Sequence, residues 1–558
     1  MKNLICRFFV FCFFMLVSYS AFANNISVSN IISTGQDIGS HFTMVQFDIS
    51  WENSWRTSTP DNWDAAWVFV KYRVPAGDNL WHHATLNLTG HIAPAGTPAG
   101  GAITTPTDGT GVFIYRTADG TGTNTWTGAQ LRWNYGVNSV ADGDAVDIQV
   151  FAIEMVYVPG GMDLTGNFYV GSDGAGTDET GSFTQANNTV GVIPFQITSV
   201  APTLQGNNAG SSAANLSAKP NRWDLTGTTT AELATGFPTG YNAFYCMKYE
   251  ITQQDYVGFL NTLTYTQQVS RTANLPNSIA GTGALITNNY SRNGIDIMTP
   301  GVLSTIPALY ACNYDGDLIY GESSDGQDIA CNYLRWSDLA AYLDWSGLRP
   351  MTELEFEKSC RGTPIPVAGE YAWGLATRYS TSYTFSGLTA GTFSEVVSNP
   401  GSGVSGNASY YETIYSAIFG PLRVGSFATS LSDRTVSGAT YYGIMEMSGN
   451  VWERPVTLGN VAGRSFTGLH GDGILNASGD ATVNFWPGIN GNSSDLTPNG
   501  TYGGTTGVTE SAGSCSRGGG FTGFTGWMQM RVSDRDGAIY SDPDRSNAYG
   551  GRGVRSSP

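Results

Sequence analysis

Charged side chains are scarce in this chain of 558 residues: they make up 13% of it, about half the ~25% usual for a soluble protein. Those it has are mostly acidic, 45 Asp and Glu against 27 Lys and Arg, giving a net charge of −18. A field of that sign repels polyanions, which excludes nucleic acid and an anionic membrane surface as partners. Histidine is rarer still, with His41, His82, His83, His91 and His470 making the full set. Beyond Val17 no apolar run approaches the ~18 residues that cross a bilayer, so no membrane span is expected in the mature chain. The HExxH, GxSxG and GxxxxGK[ST] patterns are missing too, which weighs against zinc peptidase, serine hydrolase and P-loop chemistry.

What the chain does have is glycine and aromatics: 71 Gly, 28 Tyr, 26 Phe and 14 Trp. The glycines follow no three-residue period, which excludes collagen, and the aromatics supply enough apolar area for sizeable cores. Residues 1–23 read as a secretory signal peptide: Lys2 and Arg7 precede the apolar run Phe8–Val17, and Ala21-Phe22-Ala23 offers a cleavage site. An uncleaved anchor is the alternative, opposed by a run too short for ~30 Å of hydrocarbon. Asn24 rather than Cys argues against lipidation. The expected location is therefore outside the cytoplasm: secreted, periplasmic or at the cell surface. Cleavage leaves Cys246, Cys312, Cys331, Cys360 and Cys515. An odd set implies no disulfide framework, although one bridge such as Cys312–Cys331 stays open.

Period-two segments (Val45, Phe47, Ile49, Trp51; then 67–74, 112–115 and 146–151) separated by turn-rich clusters read as an all-β sandwich over residues 24–152. Trp51, Trp55, Trp63, Trp67, Trp81, Trp126 and Trp133 fall there, as core filling or as a sugar-stacking face. After Pro159-Gly160-Gly161 the composition shifts to Gly, Asn, Ser and Thr. Thr252 predicts a helix start, Thr352 with Glu355 a capping box, and Ser337–Trp345 a third helix. The rest reads as loops and short strands, an α+β unit over residues 153–558 whose long connections need something to hold them.

Six segments in order carry a resemblance: Glu154–Gly161, Met247–Thr252, Leu348–Glu357, Gly443–Glu453, Ser516–Phe521, and Arg531 and Arg535 with Gly553-Val554-Arg555. They are similar to the formylglycine-generating enzyme family, or sulfatase-modifying factor domains. The resemblance implies a C-type-lectin-like fold over 153–558 with an insertion at about 265–330, and it leaves residues 24–150 unexplained. Catalytic members of that family bind copper through two cysteines spaced C-x4-C, soft thiolates that suit Cu(I). Anchored on Arg531 and Arg535, those positions hold Trp527 and Val532, and no cysteine follows Cys515. Copper is therefore not expected, and no catalytic residue is assigned. The related three-histidine iron oxidases are excluded by count, because His470 is alone in the second region.

The resemblance also implies a structural calcium ion held by Glu446, the carbonyls of Gly449 and Val451, and Glu453. A salt bridge from Glu453 to an arginine is the alternative. Nothing matches the family's other calcium loop after Trp373-Gly374. A likeness to ligand-binding variable proteins of the same fold points to Trp527, Gln529 and Arg531, alternating along a strand, as a binding face; ordinary strand packing is the alternative. The expected function is a non-catalytic binding or scaffold module for an unidentified protein or glycan ligand. A formylglycine-generating oxidase and a purely structural cell-surface component are the competing readings.

Overall fold

The computed structural model describes residues 26–160, 167–174, 179–189, 192–219, 222–286, 290–385, 391–392, 394–416, 418–429, 432–489, 507–523 and 526–558. The expected signal peptide lies outside these residues.

Alternation does what the pattern requires in Phe42–Ser58: Val45, Phe47, Ile49 and Trp51 are buried, while Gln46, Asp48 and Ser50 are half-buried. This strand pairs antiparallel with Gly120–Trp133 (Val45 opposite Leu131) and with Ser27–Asp37. A second layer centres on Asp61–Arg73, antiparallel to Asp147–Val158 with Phe69 opposite Phe151. Between the layers Trp51 meets Trp126 edge to face at 5.3 Å, among Val68, Val70, Leu131 and Trp133. Trp51, Trp126 and Trp133 are at most 1% exposed, so these three fill that core.

Asp61–Arg73 is buried on both faces. Ala66, Val68, Val70 and Tyr72 face the first core, whereas Ala65, Trp67 and Phe69 face a second one built with the C-terminal half. There Phe69 meets Trp345 edge to face at 5.1 Å, and Trp67 donates from Nε1 to the Ser346 carbonyl at 2.8 Å.

The boundary expected between residues 152 and 153 falls inside the strand Asp147–Val158. That strand pairs on one side with Asp61–Arg73 and on the other with Phe244–Met247 (Met155 opposite Met247). Phe244–Met247 pairs in turn with Gly553–Ser556, and that strand with Arg349–Pro350. One sheet thus runs from the N-terminal region into the C-terminal half. The composition shift near residue 160 marks where a strand ends, at Pro159-Gly160. Strand pairing across it is a long-range event that composition does not report.

Helices are few and short in the C-terminal half. Thr252 and Asp255 close a capping box on Gln253–Leu260, and Thr352 and Glu355 close one on Glu353–Arg361, while the third helix spans Trp336–Trp345. Much of the rest is irregular chain held by side chains. No helix among the described residues is long and apolar enough to cross a membrane.

Candidate functional site: a buried acid–arginine framework and an aromatic–arginine face

The capped helix Glu353–Arg361 sets Glu353 and Glu357 one turn apart on one face. Glu353 accepts from Arg517 at 2.9 Å and takes a bidentate pair of 2.8 Å bonds from Arg535. Glu357 accepts from Arg517 at 2.8 Å and from Arg361 at 3.2 Å. All five side chains are at most 2% exposed. Burial alone would raise the Glu353 pKa, but Arg535 and Arg517 pull it down to about 2. Other motif residues tie the halves together: Lys248 bonds Glu154 at 2.9 Å, and Arg555 pairs with Asp108 while lying 4.3 Å over the Trp67 ring.

Glu446 and Glu453 flank the tight turn at Gly449, whose φ of +95° is easy only for glycine. Glu446 Oε1 accepts from the Gly425 amide at 2.7 Å, and Glu453 Oε1 accepts from Arg552 Nε. Glu446 Oε2 and Glu453 Oε2 are buried with no hydrogen-bond partner. Among the described residues, nothing donates to the carbonyls of Gly449 and Val451. Each of the four residues that the resemblance names therefore carries an oxygen without a donor, and these hard oxygens fit a calcium ion. Glu250 completes the cluster, accepting from Asn450 Nδ2 at 2.5 Å and from the Val451 amide at 3.0 Å. Burial raises the pKa of all three acids, Glu446 to about 7, against the opposing charge of Arg552. Arg552 is also the arginine left open as a salt-bridge partner for Glu453. Sequence reasoning assigned no role to Glu250 or Arg552, although both sit within or beside quoted motifs; nothing local says that they meet.

Val532, at one expected copper position, is 1% exposed in a core with Phe356, Met447 and Val554. All five cysteines of the second half are buried and free, Cys312 and Cys331 included. Burial pushes the Cys246 thiol up to about 12 and Cys515 well above its ordinary range, which disfavours thiolate.

The strand expected through Trp527, Gln529 and Arg531 is a helical turn, Gly526–Gln529, closed by the Met530 amide on the Gly526 carbonyl at 3.2 Å. The period is therefore near 3.6, and i, i+4 partners meet where i, i+2 would have met on a strand. Trp527 and Arg531 come together, with the guanidinium 5.1 Å from the ring, while Gln529 turns away and donates to Asp536 at 3.2 Å. Arg378, which no sequence signal picked out, lies 4.5 Å from the same ring and 5.5 Å from that of Tyr410. The result is a half-buried indole with two cations against its ring.

Residues 226–457 match the family model of the sulfatase-modifying factor enzyme 1-like domain. Over those residues the chain is similar to a sulfatase-modifying factor domain. The match covers Glu353, Glu357 and the calcium set, and stops short of Arg517, Arg535 and Trp527. Arg517 and Arg535 join the matched span through their ion pairs to Glu353 and Glu357. Comparison with curated proteins gave no match.

Proposed function

We propose that the chain is an exported, non-catalytic sulfatase-modifying factor module of C-type-lectin-like fold that binds a protein or glycan ligand at or outside the cell surface. The observation that carries the non-catalytic reading is the pair of positions aligned with the copper thiolates: Val532 is core and Trp527 is packed by arginines. Cu(I) chemistry needs two soft ligands at one metal, and neither side chain is one. Calcium belongs to the proposal as a structural ion: Glu446, Gly449, Val451 and Glu453 would hold it, and it would supply positive charge to buried carboxylates. The binding face is Trp527 with Arg531 and Arg378. An indole with guanidinium groups against its ring suits stacking on a sugar ring and pairing with a carboxylate.

The test is a sulfatase-type cysteine peptide incubated with the protein, Cu(I), a reductant and oxygen. Mass spectrometry is expected to find no aldehyde product. The family match favours the oxidase as second reading, and copper-dependent aldehyde that disappears in Cys515→Ser would reinstate it. In parallel, a glycan array probed with the parent and Trp527→Ala is expected to lose its signal in the variant; a signal indifferent to Trp527 removes the face.

A further inference from the structure

A cleft of about 280 Å³ opens where the N-terminal region meets the C-terminal half, and none of the family motifs explains it. One wall comes from the short strand Trp81–His83, which pairs antiparallel with Asp61–Arg73 and sets Lys71 opposite His83 and Arg73 opposite Trp81. Residues directly opposite, and those two apart along a strand, share a face, so Lys71, His83 and Trp81 stand on one side of the sheet. Trp345, Gly473 and Ile474 supply wall from the C-terminal half. Unlike the tryptophans of the core, Trp81 is only half-buried, with the Arg73 guanidinium 4.9 Å from its ring.

Lys71 is 2% exposed, and among the described residues its ammonium makes one hydrogen bond, to the Gly473 carbonyl at 2.9 Å, and no ion pair. Two of its three N–H bonds are thus unspent. The nitrogen also lies 5.2 Å from the Trp345 ring centroid, which places it between two residues of the cleft wall. Burial pulls its pKa down to about 7 against the charges of Asp344 and Asp472, and Asp344 gives its own two oxygens to the amides of Asp472 and Thr482. His83 Nε2 meets the Thr110 carbonyl at 2.5 Å; a carbonyl only accepts, so Nε2 carries the proton and Nδ1 is left as an acceptor. That Nδ1 is buried without a hydrogen-bond partner, and so is the indole N–H of Trp345. Nδ1 abuts Gly473, where a Cβ would lie 2.1 Å from it. Unspent donors and an unspent acceptor therefore meet around one glycine of the cleft, and buried polar groups of that kind are costly until something pairs with them.

We infer that this cleft binds one neutral sugar ring, its C–H face against Trp81 and one hydroxyl accepting from the Lys71 ammonium while donating to His83 Nδ1. A hydroxyl meets both needs because it donates and accepts. A carboxylate could not donate to Nδ1, and Asp344 and Asp472 already set negative charge beside Lys71. The indole of Trp81 offers the flat apolar surface on which the C–H face lies. The volume stands near the lower end of the ~300–1,000 Å³ of small-ligand sites, which suits a single ring. This site does not rest on the Trp527 face, and it gives the N-terminal region, which the resemblance leaves unexplained, a share in ligand binding.

The test is calorimetric titration of methyl glucoside, methyl galactoside and methyl mannoside into the full chain, in a Trp527→Ala background so that the other face cannot contribute. At least one is expected to bind with Kd about 1 mM, the strength of a few net hydrogen bonds and one stacked ring. Trp81→Ala and Lys71→Met should each weaken it at least ~10-fold with unchanged far-ultraviolet circular dichroism. Absence of binding by all three up to about 50 mM, or binding that neither substitution weakens, overturns the assignment. Glucuronate bound more tightly than every neutral sugar overturns the neutral class.

Discussion

In the N-terminal region the long strands bond to one another, so the backbone satisfies itself and the core between the layers is apolar. In the C-terminal half the backbone wanders, and buried charged side chains do that work. Glu353 takes the Leu458 amide, Glu357 the Gly171 amide, Glu250 the Val451 amide, and Asp344 the amides of Asp472 and Thr482. Lys358 donates to the carbonyls of Pro159 and Gly240. Scarce as charge is in this chain, much of what exists is turned inward to hold loops. Asp64 shows the same device in the N-terminal region, accepting from Trp51, Ser54 and the Trp55 amide where Phe42–Ser58 is irregular.

That contrast can be broken most directly at Glu353. Glu353→Ala leaves Arg535 buried without its carboxylate and Arg517 with Glu357 alone, and should cost about 3–5 kcal/mol in urea unfolding. The effect has a pH signature. A carboxyl depressed from 4.5 to about 2 contributes stability that is present above its unfolded value and lost as pH falls through about 2. The gap between parent and Glu353→Ala should therefore narrow from about pH 4.5 downward; a gap independent of pH would show that the ion pairs are not its source.

The apolar side of the contrast is sharpened by Leu131→Ala, which opens a cavity between the sheet layers and should cost about 3 kcal/mol. Because Asp147–Val158 pairs with strands from both halves, the loss should appear in a single transition seen alike by circular dichroism and tryptophan fluorescence. Two separated transitions would support separate units on either side of residue 152. Smallest is the calcium effect at the Gly449 turn. With calcium at ~100 times Kd, chelation should remove about 2.7 kcal/mol. Glu446→Gln should reduce that difference while stabilising the calcium-free protein, since it removes a buried charge whose pKa stands at about 7. An equal chelator effect in parent and variant moves the ion elsewhere.

What could be read without the structure was whatever is decided within a few residues. Capping boxes at Thr252 and Thr352 reach three residues, and period two in Val45–Trp51 reaches the next side chain, so those helices and strands were legible. The family motifs were legible as strings, which pointed to Glu446 and Glu453 and away from copper at Trp527 and Val532. The pairings that decide the architecture span far more chain: Glu353 meets Arg517 across 164 residues, and Asn450 meets Glu250 across 200. The turn at Gly526–Gln529 is not legible in the sequence because a pattern so short fits a strand and a helical turn equally, and only packing around Met530 and Arg378 selects one. Local chemistry in the sequence determined which segments could be strands, helices or caps. Tertiary structure alone decided which charges meet, because an ion pair buried away from water depends on where distant chain is brought, and no local pattern encodes that.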